Sequence, residues 1–230
     1  MYLNDQNIPA PIFHIIERCC SVSKAGRYKD LESLRHSVVA AYDVLLGRGG
    51  ALPKIKQVLS EIESDLRLGS KHNSERVYEF VEVLSLLESS DQVNICSDIP
   101  PPFLYSIARE PTLVSHFLKI YEAFVESQSY PWPAAETIAG NMNTIFKSTT
   151  VSVNDKAHAL DLAIRAAVYM NRFAAMATCQ AMIRTIDDEA LGLGISSVLT
   201  KHAGSFISEI DPSTCVSESV RRVLRQLSTT

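Results

Sequence analysis

Apolar residues recur along this chain at steps of three and four, the spacing that puts them on one face of a helix. Ile12, Ile15, Ile16 and Cys19 share such a face after Pro9 and Pro11, which predicts a helix over 12–23 that Gly26 ends. Leu31, Leu34, Val38, Tyr42 and Leu45 form the next stripe, with Asp30 placed to accept a free backbone N–H at its start. Gly47, Gly49 and Gly50 stop it by permitting a left-handed turn. Pro53 then opens a third helix in its first turn, where a missing N–H costs nothing. Ile55, Val58, Leu59, Ile62 and Leu66 line one side of that helix, and Lys54, Lys56, Glu61, Glu63 and Asp65 the other, up to Gly69. Asn73 or Ser74 caps a fourth helix that turns Val77, Phe80, Val81, Leu84 and Leu87 inward and Glu75, Glu79, Glu82 and Glu88 to solvent.

Residues 89–102 break the pattern. Ser89, Ser90 and Asp91 lead towards Pro100, Pro101 and Pro102, and three successive prolines favour an extended, stiff segment. A short helix over 103–109 follows. Pro111 starts another, whose stripe of Leu113, Val114, Phe117, Leu118, Tyr121, Phe124 and Val125 is wide enough for two neighbours. Tyr130, Pro131, Trp132 and Pro133 interrupt the chain before a helix over 134–147. Ser152 and Asp155 stand at capping-box spacing ahead of the longest helical stretch, 157–186, in which nine alanines let helix axes approach closely. Asn171 and Arg172 mark a candidate turn that divides it. Asp187, Asp188 and Glu189 suit the start of a further short helix. A helix over 195–210 breaks near Gly204, Asp211 and Pro212 open the last segment, and Arg221, Arg222 and Arg225 lie towards its C-terminal end.

The pattern predicts an all-α protein, a multi-helix bundle or irregular α-solenoid of about ten helices joined by short connections. Val151-Ser152-Val153 alternates but is too short to build a sheet, and no fixed internal period of the solenoid kind is visible. The proline segment suggests an N-terminal helical subdomain over 1–90, a linker over 91–102 and a C-terminal helical subdomain over 103–230, or else one continuous domain.

Composition narrows the class. The chain of 230 residues is 46% hydrophobic and 21% charged, a globular balance with enough length for a substantial core. A net charge of −4, with neither half basic, excludes a body that holds nucleic acid by bulk charge alone. The five cysteines are irregularly spaced, no secretory signal opens the chain and no Asn-x-Ser/Thr acceptor occurs, which points to a cytoplasmic or nuclear setting with free thiols. The longest uncharged apolar run, 173–183, falls short of the roughly 20 residues needed to cross a bilayer.

Candidate chemistry is sparse. The glycine stretch at 47–50 precedes a helix, but it lacks the lysine, hydroxyl and preceding strand of a phosphate loop and reads as a helix–helix turn. The six histidines are not paired at metal-binding spacing, no Glu-x-x-His repeat appears and no Gly-x-Ser-x-Gly elbow exists. Gly204-Ser205 reads as a small-residue packing contact. Asp187-Asp188-Glu189 faintly echoes the aspartate-rich metal motif of all-α isoprenoid enzymes, although Leu191, Gly192 and Gly194 suggest a turn there. No catalytic residue, cofactor or metal is therefore assigned.

Two groups of surface candidates are left. Trp132 and Tyr130, on a loop framed by prolines, are aromatics of the type that dominates protein interfaces, and Phe103 and Tyr105 after the triple proline form a similar pair. Lys24, Arg27 and Lys29, with Arg48, and the terminal Arg221, Arg222 and Arg225 could contact phosphates, or could simply compensate helix ends and keep the protein in solution. The expectation is a non-catalytic helical interaction protein, a scaffold or assembly subunit whose partner is another protein or copies of itself, with no membrane partner. The alternatives are a nucleic-acid-coating, nucleocapsid-like protein with residues 1–8 as an exchange arm, and an all-α enzyme without a recognisable motif.

Overall fold

A computed structural model of the chain describes residues 8–22, 24–45, 51–67, 74–88, 91–92, 95–96, 99, 101–128 and 130–228. These residues are helical throughout apart from turns, with no strand among them, so the protein is an all-α multi-helix bundle. The arm over 1–7, the glycine stretch at 47–50 with Arg48, and Gly69, Asn73 and Pro100 lie outside the described residues. The chain forms two compact units, Met1–Ser106 and Ile107–Thr230.

The first unit contains α1 (Ala10–Cys19), α2 (Leu31–Leu45), α3 (Ala51–Arg67), α4 (Ser74–Leu84) and most of α5 (Pro101–Ala108). Pro11 sits in the first turn of α1, which ends at Cys19, four residues before the expected stop. Ile55, Val58, Leu59 and Ile62 of α3 bury against Val77, Phe80, Val81 and Leu84 of α4, as the stripes predict. Phe103 of α5 meets Phe80 edge-on, with ring centres 5.0 Å apart. Ile95, Cys96 and Ile99 are buried in the same core.

Three local expectations need correction. Pro101 and Pro102 do not extend the chain; they occupy the first turn of α5, where an absent N–H breaks no helical bond. The apolar stripe of α2 does not enter the core. Leu31, Val38, Tyr42 and Leu45 are exposed, and α2 instead turns Ala41 inward. Nor does Glu82 face solvent. Its carboxylate accepts hydrogen bonds from Arg18 Nη1 (3.1 Å), Tyr28 O–H (2.7 Å) and Ser37 Oγ (3.0 Å). Arg18 in turn stacks over the rings of Tyr28 and Tyr78, at 4.2 and 5.0 Å. One carboxylate thus ties α4 to α1, to α2 and to the turn between them. Burial, with the Glu82 charge second, pushes the Tyr28 hydroxyl well above its ordinary range.

The second unit contains α6 (Pro111–Ser127), α7 (Ala134–Phe146), α8 (Val153–Tyr169), α9 (Phe173–Arg184), α10 (Glu189–Gly194), α11 (Ser196–Lys201) and α12 (Glu218–Leu227). Its middle is α8, which packs against α6, α7, α9, α10 and α11. Small side chains make this possible: Ala159, Ala163, Ala166 and Ala167 are fully buried. Ser152 starts α8 as expected, its Oγ accepting from the Asp155 N–H (3.1 Å) and donating to Asp155 Oδ2 (2.7 Å). The wide stripe of α6 is buried throughout, from Leu113 to Val125.

The C-terminal segment departs from expectation in three places. Gly192 and Gly194 lie within α10 rather than in a turn. Gly204 is exposed with open space around it, so it is no packing contact, and Ser205 caps the 3-10 turn Phe206–Glu209. Asp211 and Pro212 start only a second 3-10 turn, Pro212–Thr214; Ser217 caps α12 itself. A Cβ on Gly192 would overlap the Oγ of that buried capping serine. Gly192→Ala is therefore expected to lower stability by about 1–3 kcal/mol through overpacking, read as the midpoint shift in urea unfolding.

Candidate interaction surface

The loop between α6 and α7 and the turn between α8 and α9 meet at one end of the second unit. Gln128 ends α6 in the left-handed region (φ 52°), which turns the chain sharply. Tyr130 is then buried, edge-on to Phe124 with ring centres 4.7 Å apart and to Tyr169 at 5.9 Å. Burial, with Tyr169 adding to it, pushes the Tyr130 hydroxyl up to about 12. The Tyr169 hydroxyl donates back to the Gln128 carbonyl at 3.4 Å.

The facing turn is equally defined. The N–H of Arg172 bonds to the carbonyl of Ala167 (3.1 Å) and that of Asn171 to Val168 (3.1 Å). This is the Schellman arrangement, with Asn171 in the left-handed position (φ 47°) that glycine usually takes. The dividing turn expected at Asn171 and Arg172 therefore has a clear backbone cause. It delivers the Arg172 guanidinium to 4.1 Å from the centre of the Trp132 ring. Glu136 holds Arg172 in place, accepting from its Nε at 3.0 Å and also from Nη2.

The outcome is an apolar surface set on rigid supports. Trp132 is 57% exposed and Phe173 84% exposed, and Val168 and Tyr169 are exposed beside the same turn. Tyr130 and Trp132, paired in the sequence reading, thus have different roles: the first anchors the loop and the second is presented outward. Arg172 and Phe173 were not singled out, although they directly follow the predicted turn residue. The other aromatic pair splits likewise, Phe103 entering the core of the first unit while Tyr105 stays exposed.

The cationic candidates lie apart from this surface. Lys24, Arg27 and Lys29 are exposed around the turn between α1 and α2, where Arg27 Nε donates to the Ser21 carbonyl at 2.7 Å. In α12, Arg221 Nε and Arg225 Nη1 pair with Glu218 at 2.9 and 3.3 Å, and Arg222 is exposed.

Acidic groups mostly secure helix ends. Asp188 caps α10 through the N–H groups of Ala190 (2.8 Å) and Leu191 (3.4 Å). Glu189 accepts from Ser219 Oγ (2.6 Å) and from the N–H groups of Glu218 (2.7 Å) and Ser219 (3.0 Å) at the start of α12. The Ser219 hydroxyl and the two backbone donors hold the Glu189 carboxyl at about 2. The feature that resembled a metal motif is thus two caps.

A second polar cluster, not foreseen, surrounds Asp161 of α8. Its carboxylate binds Lys201 Nζ (2.9 and 3.0 Å) and His202 Nε2 (2.7 Å). Arg165 stands at 3.8 Å and reaches Glu122 and Glu126 of α6. Burial alone would raise the Asp161 carboxyl, but the His202 and Lys201 hydrogen bonds outweigh it and hold it at about 2. The cluster fastens the end of α11 to α8. A lone carboxylate within an apolar, alanine-rich helix was the signal for it.

Among the described residues, no three His, Cys, Asp or Glu side chains converge as a metal site would require, and no helix is long and apolar enough to cross a membrane. A cleft in the first unit, floored by Ile15, Ala41 and Val83, has about 10 Å³ of water-accessible space, room for a single water molecule. Small-molecule sites run to roughly 300–1,000 Å³. Comparison with protein-family models, with curated proteins and with solved structures finds no match for the chain.

Proposed function

We propose that this protein is a non-catalytic helical interaction subunit, a scaffold or assembly component that takes a protein partner on the surface around Trp132. The observation that carries the reading is the presented Trp132 ring, stacked by Arg172 and bordered by exposed Phe173. Aromatic residues with an arginine partner are the usual anchors of protein interfaces. Rigid supports matter because a preformed surface loses little side-chain freedom on binding. Both backbone turns beneath the surface are held in left-handed conformations by hydrogen bonds or ring packing, which provides that rigidity.

A protein partner is preferred to a nucleic acid because the aromatic surface is not flanked by free cations: Arg172 is neutralised by Glu136, and Arg221 and Arg225 share Glu218. Five unbridged thiols, two of them exposed, suit a cytoplasmic or nuclear setting.

The test is affinity purification of the intact chain from its native source, with and without nuclease, comparing wild type and Trp132→Ala by quantitative mass spectrometry. A nuclease-resistant protein partner reduced at least tenfold by Trp132→Ala, with an unchanged circular dichroism spectrum, is expected. Recovery unaffected by Trp132→Ala, or dependent on nucleic acid, would contradict the proposal. A fluorescent oligonucleotide at low salt gives the second arm, with no binding expected.

A further inference from the structure

The strongest feature outside the Trp132 surface is the uncovered face of α2. Leu31 is 82% exposed, Tyr42 57% and Val38 44%, and Leu45 is exposed at the far end of the same stripe. The helix spends its inward side on Ala41, with Ser37 and Leu34 half-buried, so the apolar stripe is left over rather than shared. An exposed stripe running the length of a 15-residue helix is a docking surface or an aggregation hazard.

Its spacing identifies the occupant. Val38 lies midway along the stripe, with Leu31 and Leu45 each seven residues away and Leu34 and Tyr42 each four residues away. Reversing the helix about Val38 therefore sets Leu31 opposite Leu45, Leu34 opposite Tyr42 and Val38 opposite itself. No charged residue falls at any of these positions. A two-fold interface requires this kind of self-complementary patch, and the seven-residue repeat is the seam of paired helices.

We infer that α2 pairs antiparallel with α2 of a second copy of this chain, about a two-fold axis at Val38. A helix of 15 residues spans about 22 Å, and one such pair buries less than the roughly 1,600 Å² of a standard stable interface. The dimer is accordingly weak, with a dissociation constant in the micromolar range, and suited to assembly at high local concentration. The inference is independent of the Trp132 surface, which lies in the other unit.

Sedimentation velocity of the intact chain, run from about 1 to 500 μM, tests it alongside Val38→Glu and a control at exposed Val22, Val22→Glu. Wild type and Val22→Glu are expected to dimerise reversibly, and Val38→Glu, which puts two carboxylates on the axis, to weaken association at least tenfold. Register is read separately in a Cys19→Ser/Cys20→Ser background. Val38→Cys should form a disulfide-linked dimer on mild oxidation and Leu45→Cys should not, because the two copies of residue 45 lie at opposite ends of the pair. A monomer throughout the concentration range, a dimer indifferent to Val38→Glu, or equal cross-linking at both cysteines would overturn the inference.

Discussion

Replacing Glu82 by alanine is expected to cost about 3–5 kcal/mol, because it leaves the mostly buried Arg18 guanidinium without its anion. Two hydroxyls, Tyr28 and Ser37, lose their acceptor at the same time. The damage should stay local. Amide exchange in α1, α2 and α4 is expected to accelerate by two to three orders of magnitude, at about 1.4 kcal/mol per tenfold, while α8 in the second unit keeps its protection. Tyr28→Phe removes one hydrogen bond to a charged acceptor and should cost about 1.5–3 kcal/mol. A double replacement, Arg18→Met with Glu82→Leu, should recover much of the loss, since apolar residues of similar volume can substitute for a buried ion pair. A Glu82→Ala protein with exchange unchanged in α1 and α2 would show that the carboxylate does not hold the unit together.

The second large effect depends on pH. Asp161 has its folded carboxyl held at about 2, against an ordinary 3.8. A carboxyl depressed by folding stabilises the protein fully above its unfolded value and loses that contribution as pH falls through the folded one. Asp161→Asn should therefore lower stability by about 2 kcal/mol at pH 7, a figure reduced for solvent screening at Lys201. The gap between wild type and variant should stay constant from about pH 7 to 5 and close between about pH 4 and 2. Thermal unfolding followed by circular dichroism across that range reads it directly. A gap that persists at pH 2 would mean that the side chain acts by packing rather than by charge.

Much of the fold was legible because local chemistry and tertiary structure agree. Ser152 and Asp155 announce α8 at capping-box spacing, and the Asn171-Arg172 pair marks the break before α9 since asparagine tolerates the left-handed position. The α3, α4 and α6 stripes became core because each repeats without interruption. The failures share a physical cause. Periodicity says which residues lie on one helix face but not what covers that face, so the stripe of α2 was as convincing as that of α3 and yet faces outward. Glu75, Glu79 and Glu82 are chemically identical neighbours on α4. Only the arrival of Arg18, more than sixty residues away in sequence, distinguishes the last. Three prolines looked like a stiff spacer because a run of missing donors is unfavourable everywhere except a first turn, and the first turn of α5 is where two of them fall.

The interaction surface was half legible. Trp132 stood out by residue type and by its prolines. Arg172 and Phe173 could not be joined to it, because the loop and the turn come together only through Tyr130, Tyr169 and Glu136. Their convergence is what turns an isolated tryptophan into a surface. It also indicates where a partner must touch.

Photo-crosslinking from Phe173 is the most direct examination of that claim. A benzophenone side chain placed there, in the native source, should yield a discrete protein adduct that disappears when Trp132→Ala is added. The same group at exposed Val216 should yield none. No adduct at Phe173, or one that survives the loss of Trp132, would contradict the assignment of this surface to a partner.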